Sequence, residues 1–468
     1  MLRMTPGAAT LRIADPDRRP RQLGPRVITA VVLASIAGLI GLIGPEARHL
    51  TDLSTRPALE LHFSQLVTTV AGVIGIAAGL CLIRRWPWLL LAGVLAGLPA
   101  AVVRIWPTLL HETSWPDRYA ADQVGLIDTL TASGTMGGSL LIAGILGAAQ
   151  HLARSGARAP AAAVVSAMIG AELFSRILFG RPAPVPGPPP PDGAVALLTA
   201  LGLIGAVLAV LAVTTGRLSE PAEYPMDRRM LKLGLYASPL PLLPKLISAF
   251  FPAGPKSMTE VGVAATITLV ATIAVGVAAG IGVLGIAILV TAASLASSAP
   301  LVAAYYAMTM AATPILPIAA TGLVLGIAAA TVRRRLFSGA VVCLTLATAT
   351  VLAHELAGGS VRALLTAAER LPAGLIMILV IVAVILAAGA VAPLLADRGA
   401  LPLALGPLFT GLALAGQELM YFSGMNSSGS TVLGFLYGPQ PIVLAGVLMG
   451  LAGFLLLHRG IVEQRRAG

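Results

Sequence analysis

Fourteen apolar runs, each long enough to cross a bilayer as a helix, follow one another along this chain and leave room for little else. They fall at about 26–44, 61–83, 87–105, 123–149, 158–180, 193–214, 231–252, 259–281, 284–305, 313–332, 337–355, 371–395, 400–422 and 436–458. A helix rises 1.5 Å per residue, so about 20 apolar residues cover a hydrocarbon core of roughly 30 Å. With 57% hydrophobic and only 11% charged residues, the chain could not cover a soluble surface. The expected fold class is an all-α polytopic membrane protein of about 14 transmembrane helices. Positions 280–285 and 296–317 carry no charge to mark a turn, so twelve or thirteen helices is the alternative parse.

The net charge of +11 is not a nucleic-acid signature, because its distribution follows the membrane. With the N-terminus inside, 21 of the 31 Lys and Arg fall in cytoplasmic segments and 8 outside, leaving Arg176 and Lys245 within the membrane. A cell-membrane, multi-pass protein with both termini cytoplasmic is expected. The Arg-rich first 25 residues carry no small-residue cleavage site and read as an uncleaved tail. Cys81 and Cys343 both sit inside expected helices, which argues against a disulfide framework or a metal site. Neither a metal nor a cofactor is expected. The outer connector 181–193 is Pro-rich and reads as a stiff spacer, and Trp86, Trp88, Trp106 and Trp115 suit headgroup anchors.

An internal echo organises the runs. Gly75-Ile76-Ala77-Ala78 leads to Arg84 and Arg85, as Gly326-Ile327-Ala328-Ala329 leads to Arg333, Arg334 and Arg335. The arginine pairs are 249 positions apart, and the membrane carboxylates Glu172 and Glu418 are 246 apart. This suggests two six-helix bundles related by an axis along the membrane normal, with two additional helices between them. The boundaries are a cytoplasmic tail at 1–25, a first bundle at 26–214, a cytoplasmic linker at 215–230, two extra helices at 231–281, a second bundle at 282–458 and a tail at 459–468.

That layout resembles the major facilitator superfamily, in particular its fourteen-helix drug:proton antiporter branch. The family's loop between helices 2 and 3 reads Gly-x-x-x-Asp-Arg-x-Gly-Arg-Arg, of which Arg84 and Arg85 keep the basic pair. Leu395-Ala396-Asp397-Arg398-Gly399 is a fragment of the same pattern between helices 12 and 13. The branch's acidic residue of helix 1, its Arg-x-x-Gln-Gly of helix 4 and its Gly-Pro-x-x-Gly-Gly of helix 5 are missing, although Gly406-Pro407-x-x-x-Gly411 on helix 13 is loosely similar. The resemblance implies a transporter, not an enzyme, and favours export.

Charge inside oil marks the candidate chemistry. A carboxylate at bilayer depth costs about 2.5–3.5 kcal/mol on insertion scales, so it ordinarily faces a bundle interior or a watery cavity. Glu172 and Arg176, one turn apart, share a side of helix 5, and Glu418 is flanked by Gln417 and Tyr421. Glu172, Glu418 and Arg176 are the candidates for proton or substrate coupling; a self-neutralised Glu172–Arg176 pair is the structural alternative. Asp128, Lys245, Gln417 and Tyr421 are placed along a substrate path, with a helix-start role for Asp128 and a snorkelling Lys245 as the plainer readings. Arg84, Arg85, Arg333, Arg334, Arg335, Asp397 and Arg398 are assigned to a cytoplasmic gate or to topology, the arginines also attracting anionic lipid headgroups.

The sequence therefore points to alternating access around a midplane site, with a lipophilic small molecule or lipid as cargo, export as the direction and protons as the candidate coupling ion. Membrane lipids and that cargo are the expected partners. Two other readings stay open: a non-transporting partner or sensor subunit, and a membrane enzyme acting on lipid-linked substrates.

Overall fold

The computed structural model describes residues 23–43, 58–105, 121–179, 193–218, 228–238, 315–331 and 439–467, with scattered positions between 337 and 392. Among the described residues, all regular structure is helical. The helices are α1 (Pro25–Ile43), α2 (Ala58–Leu82), α3 (Trp86–Ile105), α4 (Ala121–Arg154), α5 (Arg158–Phe179), α6 (Gly193–Thr214), α7 (Arg228–Ala237), α8 (Ile315–Ala330) and α9 (Pro439–Ala467). A single 3-10 turn, Ile83–Arg85, joins α2 to α3. Four described stretches are long and apolar enough to cross a membrane: Pro25–Leu42, Val70–Val102, Ala132–Arg154 and Gly193–Thr214.

The first six expected helices are all present, and α4 is their hub. It packs on α1, α2, α3 and α5, and every residue from 139 to 149 is buried. Small residues let the backbones approach, as is usual where helices meet without a hydrophobic driving force between them. A methyl placed on Gly93 would lie 2.8 Å from the Gly137 carbonyl oxygen, and one on Gly75 would lie 2.9 Å from the Ser139 Cβ. Gly38 and Gly202 bring α1 against α6 in the same way, a methyl on Gly38 falling 2.7 Å from the Gly202 Cα. The opposite side of α6 carries Leu197, Ile204, Leu208 and Leu211, all exposed, as a lipid-facing surface requires.

Two tight ends fix the bundle on the side of the basic residues. Gly156 (φ +83°) closes α4 with the Gly156 N–H donating to the Ala153 carbonyl and the Ala157 N–H to the Leu152 carbonyl. Gly216 (φ +65°) closes α6 with the equivalent pair, to Val213 and Ala212. Only glycine adopts such a φ without strain, and the two bonds satisfy carbonyls that a helix end leaves open. The Leu23 N–H then donates to the Arg217 carbonyl at 2.8 Å, tying the entry of α1 to the exit of α6.

Several boundaries differ from expectation. Helix α4 continues past 149 to Arg154, and α9 continues past 458 to Ala467. The segment expected as a tail at 459–468 is thus largely helical, with Arg459 Nε donating to the Glu463 Oε1 at 3.2 Å one turn on. Helix α7 begins at Arg228, inside the expected linker, and the rest of the seventh run lies outside the described residues. The eighth, ninth and thirteenth runs also lie outside them.

In the C-terminal part, α8 matches the tenth run and α9 the fourteenth. Helix α9 packs on the eleventh run, where a methyl on Gly453 would meet the Leu344 Cγ at 2.9 Å and one on Gly460 would meet the Phe337 ring. A methyl on Gly389 would lie 2.6 Å from the Gly326 Cα. Gly326 and Gly389 stand 251 and 250 positions beyond Gly75 and Ser139, so the contact between the second and fourth runs recurs between the tenth and twelfth.

Candidate functional site

The N-terminal bundle meets the C-terminal helices where α5 packs on α8. The sequence permits a close approach there because the residues that meet are small. The methyl that would lie 2.6 Å from the Gly326 Cα would also lie 2.6 Å from the Ser166 Oγ, so Ser166, Gly326 and Gly389 form one three-sided contact. Ser166 is 1% exposed. The floor beneath it is apolar, with Val164, Val165, Met168 and Ile169 in the bundle core and Ile327 and Ala330 of α8 packed on the same cluster.

One turn further along α5, the packing opens. Gly170 is buried, yet a methyl placed there would have no described atom within 4 Å. Ser166 and Gly170 are four residues apart and so share a stripe of the helix. Among the described residues, the stripe is in tight contact at one level and open at the next.

Glu172 and Arg176 lie on α5, with their side chains outside the described residues. At 3.6 residues per turn, position 172 is about 120° round the helix from Ser166, so it does not belong to the contact stripe. Asp128 lies in the first third of α4, its side chain likewise outside the described residues. Glu418, Gln417, Tyr421, Lys245, Arg333, Arg334, Arg335, Asp397 and Arg398 all lie outside them. Arg84 and Arg85 form the 3-10 turn between α2 and α3 and are exposed.

One expectation needs correction. Trp86 is not a headgroup anchor: it is 2% exposed, because the 3-10 turn folds it under α4. Its ring stands 6.3 Å from that of His151, centroid to centroid and tilted by 44°, and its Nε1 has no hydrogen-bond partner. Trp88, two residues on, is 46% exposed, as an anchor should be. The described cysteines, Cys81 and Cys343, are not disulfide-bonded.

Sequence reasoning missed Ser166, Gly326 and Gly389. The repeat offset singles out Gly326, but nothing in the neighbourhood of Ser166 or Gly389 distinguishes them from the many other small residues of the chain.

The fold is similar to that of the xylose transporter XylE from E. coli in its inward-open conformation. The TM-score is 0.50 at 15% sequence identity, over 93% of this chain and 96% of that one. The same transporter in a partially occluded inward-open conformation gives 0.48 at 16%, over 92% and 99%. A bacterial homologue of the iron transporter ferroportin, in an outward-facing state, gives 0.46 at 14%, over 92% and 99%. XylE is a major facilitator superfamily proton:xylose symporter. No protein-family model matches the chain, and no curated protein matches it in sequence. The chain is a multi-pass, all-helical membrane protein with the major facilitator fold.

Proposed function

We propose that this protein is a secondary active transporter working by alternating access. One observation carries the reading: the fold of the inward-open xylose transporter extends over 93% of the chain. A lipophilic small molecule or lipid is the cargo that suits a chain with so few charges, since a cavity of that character selects by apolar fit. Export follows from the resemblance to the drug:proton antiporter branch. Glu172 and Glu418 are the groups assigned to proton coupling, with Arg176 beside the first and Gln417 and Tyr421 beside the second.

The test uses the full chain in liposomes under a pH gradient, with ethidium, tetraphenylphosphonium and a fluorescent phospholipid as probes. The expected result is probe-dependent proton flux in the wild type and its loss in Glu172→Gln or Glu418→Gln. Unchanged flux in both variants would remove the coupling assignment. No flux with any probe would move the chain to the reading of a transporter-like partner or sensor subunit.

A further inference from the structure

We propose that α7 and the turn between α2 and α3 together seat the headgroup of an anionic phospholipid on the basic side of the molecule. Such a seat is independent of any cargo pathway.

Helix α7 has two unlike sides. Leu231 and Leu235 pack on the bundle core and Gly234 is buried, whereas Arg228 and Lys232, one turn apart, are exposed. Its ten residues rise about 15 Å, roughly half the depth of the oil. Residues 219–227, which connect it to α6, include Glu220, Glu223, Asp227 and two prolines. So short and polar a stretch does not cross a bilayer, and α7 therefore starts on the side where α6 ends. Neither cation serves the helix itself. Its first turn holds no acid, a positive charge at that end opposes the helix dipole, and like charges at this spacing repel.

Helix α7 packs on α2, and α2 runs out on the same side into the turn Ile83–Arg85. Arg84 and Arg85 are exposed there, between Leu82 and Trp88, which are 47% and 46% exposed. The surface thus sets cations beside an aromatic ring and an apolar side chain at the level where the membrane meets water. An anionic phospholipid matches all three, with its phosphate on the cations, its glycerol region on the indole and its acyl chain on Leu82. A soluble phosphate would answer only the cations. The rival partners within the chain are Glu220, Glu223 and Asp227, and the test includes them as an outcome.

Trp88 is the reporter. In full-length protein carrying Trp86→Phe, Trp106→Phe and Trp115→Phe, its fluorescence is quenched in phosphatidylcholine vesicles by added brominated phosphatidylglycerol or brominated phosphatidylcholine. The anionic lipid should quench at several-fold lower mole fraction. Arg228→Gln with Lys232→Gln should bring the two lipids to parity. Arg465→Gln with Arg466→Gln, which removes the same charge from the exposed end of α9, should leave the preference intact. Equal quenching in the parent protein overturns the seat. An unchanged preference in the α7 variant also overturns it, because the linker acids then already occupy those cations. An equal loss in the α9 variant does so too, since net charge alone would explain the preference. Release of the lipid by excess glycerol 3-phosphate assigns the site to a soluble anion and overturns the lipid. Where the single-tryptophan protein does not fold, native mass spectrometry of the chain with all four tryptophans counts retained phosphatidylglycerol in the same charge variants and decides between the same outcomes.

Discussion

Replacing one glycine by alanine should have opposite consequences at two buried sites of this molecule, Gly137 and Gly170. At Gly137, at the centre of the α3–α4 crossing, the added methyl would lie 2.6 Å from the Gly93 carbonyl oxygen, 2.6 Å from the Gly97 nitrogen and 2.8 Å from the Gly97 Cα. Ordinary contact between such atoms is about 3.5 Å or more, so α3 must retreat by roughly 1 Å. All three obstacles are backbone, and no rotamer change can move them aside. Overpacking of this kind costs about 1–3 kcal/mol, and the rigidity of the obstacle places Gly137→Ala at the upper end. Alanine's better helix propensity returns at most about 1 kcal/mol. The expected net loss is about 2 kcal/mol.

At Gly170 there is no described atom to displace, so the propensity gain is what remains. That gain is largest when the unfolded state loses its helices. In detergent it keeps many of them, so Gly170→Ala should fall between zero and about 1 kcal/mol of stabilisation. The assay is reversible unfolding from mild micelles by titration with dodecyl sulfate, followed by tryptophan fluorescence, with both variants measured against the wild type. The reasoning fails if Gly137→Ala loses no stability, or if the two variants agree within about 0.5 kcal/mol.

Two further outcomes follow from buried polar atoms. Thr199 on α6 is 4% exposed, faces Gly41 of α1, and its Oγ1 has no hydrogen-bond partner; Thr199→Val should raise stability by about 1 kcal/mol in the same titration, and a loss would show that the hydroxyl is satisfied. In single-tryptophan variants, brominated phospholipid should quench Trp88 strongly and Trp86 weakly, since one is 46% and the other 2% exposed; equal quenching would contradict the burial of Trp86 beneath α4.

Hydropathy located the first six helices because polar or charged residues bracket each apolar run. It failed where a helix outlasts the oil. Arg154 on α4 and Arg459, Glu463 and Arg465 on α9 are helical residues that read as loop or tail, because apolar composition reports depth in the membrane and not the end of hydrogen bonding. Trp86 misled for a related reason: its amphipathic ring suits an interface, but the 3-10 turn decides where it points. Glu172 announced itself as a charge in oil, whereas Ser166 and Gly389 could not. They are 223 positions apart in a chain of 51 glycines, and only packing reveals that they meet.

The way the two halves meet bears on how they could be driven apart. A gate closed by an ion pair needs a carboxylate of one half facing a cation of the other, and responds to salt and pH. A contact among a serine and two glycines, such as that of Ser166 with Gly326 and Gly389, depends on contact distance alone. Each atom pair contributes about 0.1–0.2 kcal/mol, and a gap of 0.5–1 Å forfeits a quarter to a half of that. A few tens of such pairs amount to a few kcal/mol. This is the scale a ligand can supply: differential binding of about 5.5 kcal/mol carries a two-state equilibrium from 1:99 to 99:1. The extended glycine-lined crossings of α1 with α6 and of α3 with α4 are built from many more contacts and lie beyond that reach. On that scale the α5–α8 contact, smaller than the α1–α6 and α3–α4 crossings, would part at a lower cost than either of them.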